Sequence, residues 1–95
     1  MENEISQILN NQDHLKTSEL SLAASLVYFG FPLSRLEPTD SRRLNFVFHL
    51  EKGLDEIVQG YWADTLSVNP KRYFYTLKEL KSRVVAQRNE YGSKG

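Results

Sequence analysis

The chain predicts a small α+β fold: an antiparallel β-hairpin with a candidate third strand, packed against three helices in the order α-β-β-α-(β)-α. Three observations carry this. Residues 44–50 alternate strictly between apolar and polar, apart from one valine. Leu54, Ile57, Val58, Tyr61 and Trp62 recur at i, i+3, i+4, i+7 and i+8. Asn69-Pro70 opens a long segment whose apolar residues again follow the helical period. A chain of 95 residues is the length of one domain. It buries only about 60–65% of its unfolded surface on folding, so it builds one small core.

Residues 1–16 are rich in Asn, Gln and Glu, with Ile5, Ile8 and Leu9 as their apolar group at helical spacing. They read as a flexible or weakly helical extension ahead of a single domain at 17–88, which a flexible tail at 89–95 follows. Thr17 or Ser18 can cap a helix over 19–29 with Glu19 in its first turn, and Gly30 followed by Pro32 ends it. This helix is apolar on both sides, through Leu20, Ala23, Ala24 and Val27 on one and Leu22, Leu26 and Phe29 on the other. Such a helix is buried all round, so it either lies centrally in one chain or meets a second subunit.

Residues 31–36 predict a strand and 37–41 a polar turn. In the next strand Leu44, Phe46, Phe48 and Leu50 point to the core, while Asn45, Val47 and His49 point away. Two strands are marginal in water, so helices must cover their apolar face. The helix after Gly53 carries Asp55 and Glu56 in its first turn, where the dipole favours them. Leu66-Ser67-Val68 is the candidate third strand.

In the last helix Asn69 is the N-cap and Pro70 the first helical residue. Tyr73, Leu77, Leu80 and Val84 share one side, which Phe74 and Val85 widen to an arc of about 140°. Lys81 and Arg88 also fall in this arc. Three readings of Lys81 are open: a stem lying on apolar surface with its charge in water, a cation at a cleft or subunit junction that holds an anion, or a partner for Asp64. Outside the arc, Lys71 and Lys78 share an edge with Tyr75 nearby, while Arg83 is placed for an i,i+4 pair with Glu79. A basic edge with a tyrosine suits phosphate and base contacts, and it equally suits a solvated helix. The ligand-binding candidates are therefore Lys71, Tyr75, Lys78 and Lys81.

Other chemistries are thin. Without cysteine there are no disulfides, thiolate nucleophiles or cysteine metal sites. His14 and His49 have no second histidine at helical spacing, so neither a metal nor another cofactor is expected. The five glycines are dispersed, which excludes a P-loop. His49, with Glu51 or Tyr61 nearby, is a candidate acid or base, but a lone strand histidine is ordinarily a surface or packing residue. The expectation is therefore a protein that is not an enzyme. No apolar run approaches the roughly 18 residues of a membrane span and no signal peptide opens the chain, so a soluble cytoplasmic protein is expected.

Twelve acids and twelve bases cancel, which argues against a general coat for polyanions. Their placement is polarised: residues 1–64 hold ten acids and five bases, a net of −5, and residues 65–95 hold two acids and seven bases, a net of +5. Such a chain can present a basic face to an anion or pair its two parts.

Thr17-Ser18-Glu19-Leu20-Ser21-Leu22-Ala23-Ala24-Ser25-Leu26, then Gly30-Phe31, Phe46-Val47-Phe48, Tyr61-Trp62, Val68-Asn69-Pro70 and Leu80-Lys81, in this order, resemble a small family of bacterial, candidate-phylum and phage proteins. It is the family numbered 5659 among domains of unknown function, and the resemblance spans about residues 15–86. The resemblance implies a phage or mobile-element setting and supplies no catalytic residues. The expected function is a homo-oligomeric binding protein for a nucleic acid or nucleotide-like anion. The alternative is an adaptor or inhibitor directed at a host protein, for example of a defence system, using Tyr28, Phe31 or Trp62.

Overall fold

The computed structural model describes residues 13–39 and 43–92, with side chains described to residue 88. The elements run in the order β1 (His14–Thr17), α1 (Leu20–Tyr28), β2 (Arg35–Pro38), β3 (Leu44–His49), α2 (Leu54–Ala63) and α3 (Pro70–Gly92). The part of the expected extension at residues 1–12, the turn residues 40–42 and the tail residues 93–95 lie outside the described residues.

β3 is aromatic and β-branched, as a strand buried on one face prefers. It is the middle strand of an antiparallel sheet with order β1-β3-β2. Leu15 lies opposite Phe48, and Thr17 and Leu36 flank Phe46 on either side. These residues share the face that the helices cover. Pro38 falls on the edge strand β2, where a residue without an N–H is tolerated.

The third strand is therefore β1, not residues 66–68. The pattern around Leu15 is too short to stand out against its polar neighbours. What holds it is the open edge of β3, whose backbone groups need partners. The boundary drawn at residue 17 accordingly moves back to take in His14–Thr17. Residues 66–68 are irregular, and Leu66 and Val68 instead line a cleft beside α2.

α1 begins one residue later than expected. Glu19 is its N-cap without a side-chain cap bond, while Thr17 Oγ1 accepts the Glu19 N–H at 3.1 Å. Most of its two apolar sides is covered within one chain: Leu22, Ala23, Ala24 and Leu26 are buried while Phe29 stays exposed, with the helix packed against α2, α3 and β1. The alanines let neighbouring backbone approach closely. Ser21 ties the three helices together, since its carbonyl accepts Tyr73 O–H at 2.9 Å and its hydroxyl bonds Tyr61 Oη on α2.

α2 lies between two residues in the left-handed conformation, Gly53 at φ 92° and Asp64 at φ 65°. Glycine adopts this without the Cβ clash, and a short polar side chain such as Asp tolerates it. α3 starts as expected, with Arg72 N–H donating to Asn69 Oδ1 at 3.1 Å. Replacing Asn69 with alanine is expected to cost about 1 kcal/mol in urea unfolding, because an N-cap acceptor is lost.

The apolar arc of α3 is narrower than its sequence predicts. Leu80 is buried, and Tyr73, Leu77 and Val84 pack against the core. Phe74 and Val85, at the flank, remain 55% and 53% exposed. One helix line meets α1 and the sheet, and no second layer reaches around to the flank.

Among the described residues no helix covers the other sheet face, yet Val47 there is completely buried. Its register partners are Lys16 and Arg35, one on each side. Glu37 draws both cations inward, with Lys16 Nζ at 3.0 Å and Arg35 Nη2 at 3.3 Å. The Lys16 hydrogen bond, reinforced by Arg35 and opposed by partial burial, holds the Glu37 carboxyl below its usual range. A depressed carboxylate adds stability above its unfolded pKa of about 4.3, and that stability is lost as pH falls through the folded value. In urea melts, wild type and Glu37→Gln should therefore differ at neutral pH and converge below about pH 4.

Candidate functional site

α3 packs against α1, and Val84 on its core line borders a gap shared with Leu44 and Phe46 of β3. Lys81, one step around the helix, and Arg88, two turns further on, then stand at the rim of the gap. Opposite them are Arg43, just before β3, and Ser18, just before α1. Together these residues line a cleft of about 370 Å³, floored by Leu20, Leu44, Phe46, Val84 and Val85.

Three cations thus converge on an apolar floor, and no described lining residue is acidic. Arg43 Nη1 donates to Ser18 Oγ at 3.4 Å, a long bond that leaves most of its fork available. Among the described residues, Lys81 and Arg88 form no ion pair; the ion pairs found are those of Glu37. Unpaired cations beside low-dielectric walls attract an anion more strongly than the same charges in open water. An Arg fork also matches phosphate or carboxylate geometry.

The sequence-predicted site divides here. Lys81 lines the cleft, while Asp64 lines the separate one formed with Tyr61, Trp62 and Tyr73, so the two are not paired. Lys71, Tyr75 and Lys78 are exposed and outside the cleft. Lys78 Nζ lies 5.6 Å from the Phe74 ring centroid, a cation–π contact on the open side of α3. Arg43 and Ser18 had no signal in the sequence, because only the fold brings the start of β3 to the side of α3. Arg88 did have one, its i,i+7 spacing from Lys81 on the same helix line.

The pairing of His49 with Tyr61 considered from sequence does not form. Tyr61 bonds Ser21 on the helical side, whereas His49 lies on the open sheet face beside His14, with ring centroids 4.7 Å apart. Among the described residues no group of three or more His, Cys, Asp or Glu converges as metal ligands. No helix of the described residues is long and apolar enough to cross a membrane.

The fold and cleft define a small α+β domain with a cationic, apolar-floored groove between its last helix and its sheet. The chain belongs to the family described as Domain of unknown function (DUF5659), whose model matches residues 12–86. Comparison with curated proteins and with solved structures finds no match.

Proposed function

We propose that this is a cytoplasmic, non-enzymatic binding protein whose ligand is a nucleotide-like anion or a short stretch of single-stranded nucleic acid, held in the cleft between α3 and the sheet. The observation that supports this reading is the convergence of Arg43, Lys81 and Arg88 on a floor of apolar side chains, with no lining carboxylate among the described residues. The cations suit phosphate and the floor suits a base or another flat apolar group. Titration of a labelled oligonucleotide or nucleotide across a salt series tests it. The logarithm of the affinity should fall linearly with log salt, and absence of binding at low ionic strength would remove the reading.

The homo-oligomer expected from sequence was motivated by the two apolar faces of α1. Leu22, Ala23, Ala24 and Leu26 are covered within one chain, while Phe29 stays 37% exposed; the proposed site itself is lined by a single chain.

A second reading has its own support in exposed aromatic surface. Trp62 is 59% exposed and Phe74 55%, as suits an adaptor or inhibitor directed at a host protein in the phage or mobile-element setting implied by the resemblance. Such binding would be weakly salt-dependent and sensitive to Trp62→Ala.

A further inference from the structure

The sheet face that the described helices leave uncovered carries a second arrangement with its own chemistry. Leu50 N–H donates to the Asp13 carbonyl at 2.8 Å, which makes those two a hydrogen-bonded pair of the β1–β3 ladder. The next pair, His14 and His49, is therefore a non-hydrogen-bonded pair, the kind whose Cα atoms approach to about 4.5 Å and whose side chains stand closest. Their rings lie 4.7 Å apart, tilted at 42° rather than stacked. His49 is exposed and His14 half-buried, so solvent reaches the pair.

We propose that His14 and His49 together bind one divalent transition-metal ion of the Ni²⁺, Cu²⁺ or Zn²⁺ class, fastening the short strand β1 to β3. With metal–nitrogen distances of about 2.0–2.1 Å, two imidazoles sharing an ion at ligand angles of roughly 90–110° have centroids roughly 4.5–5.2 Å apart. The observed separation lies in that range. Imidazole selects this metal class over Mg²⁺ and Ca²⁺, and water completes the coordination. Ser34 Oγ lies 3.4 Å from His49 Nε2, a long hydrogen bond. The cations on the same face, Lys16 and Arg35, are both drawn to Glu37, which lowers their repulsion of a bound ion. The sequence pointed away from a metal because neither histidine had a helical partner; strand pairing supplies the partner instead.

The experiment uses the full chain with NiCl₂ and ZnCl₂, and MgCl₂ as the control. Calorimetry should show one Ni²⁺ or Zn²⁺ per chain, reversed by EDTA, and Tm should rise by several degrees as the ion binds the folded state. His14→Gln and His49→Gln should each lower affinity at least about tenfold, with far-UV circular dichroism unchanged. In wild type, paramagnetic Ni²⁺ should broaden the NMR signals of His14, Leu15, Phe48 and His49 before others, a readout that needs no variant. Undetectable binding, broadening centred elsewhere, or affinity retained in both variants would overturn the proposal. So would a doubling of mass in light scattering on saturation, which would place the ion between two chains.

Discussion

Phe48→Ala is expected to remove about 3–5 kcal/mol of stability, close to the whole stability of a domain this size. Phe48 is fully buried on the middle strand, opposite Leu15, and belongs to the same cluster as Leu26, Leu54 and Leu80. Truncation loses the transfer free energy of a ring and leaves a cavity walled by both layers. Phe74→Ala is the control: the same chemistry at a half-exposed position should cost less than about 0.5 kcal/mol. Urea unfolding followed by circular dichroism compares the two. If Phe48→Ala is too unstable to titrate, Phe48→Leu keeps most of the volume and gives a smaller, measurable loss. Equal losses at positions 48 and 74 would show that the core is misplaced.

The second large effect is on ligand binding. Reversing the charge at the cleft, by Lys81→Glu or Arg88→Glu, is expected to weaken binding of a labelled anion about 10- to 100-fold, since a charge-assisted hydrogen bond is worth about 1.5–3 kcal/mol. Each reversal should also lower the salt slope by about one. Lys71→Glu and Lys78→Glu, outside the cleft, should change affinity by no more than about twofold, through long-range charge alone. If the pair at 71 and 78 proves as costly as the pair at 81 and 88, the ligand lies along the outer edge of α3 and the cleft is not its site. Circular dichroism of each variant separates a binding defect from unfolding, because all four residues are exposed.

Much of the secondary structure could be read along the chain, since it depends on local periodicity. The apolar spacing of α2, the Asn69 cap of α3 and the alternation through β3 all recur in the structure close to where the pattern placed them. The reading failed where a residue's role depends on distant chain. Four residues around Leu15 form a strand only because β3 offers them an unpaired edge. Val47 is buried on the nominally solvent face, where Lys16 and Arg35 flank it in register. Phe74 and Val85 share the hydrophobicity of the core line but stay more than half exposed on its flank.

The sequence by itself determined an α+β class, a helix apolar on two sides, the start of the last helix and an out-of-place lysine on it. Each follows from spacing within a few turns of chain, where side-chain direction is set by the backbone period. Only the tertiary structure decided what surrounds that lysine. It brought Arg43 and Ser18 across to Lys81 and Arg88, set His14 beside His49, and left Lys71, Tyr75 and Lys78 on the open side of α3. Those juxtapositions depend on strand register and on how α3 crosses the sheet, and both are set by how the whole core packs rather than by any segment alone.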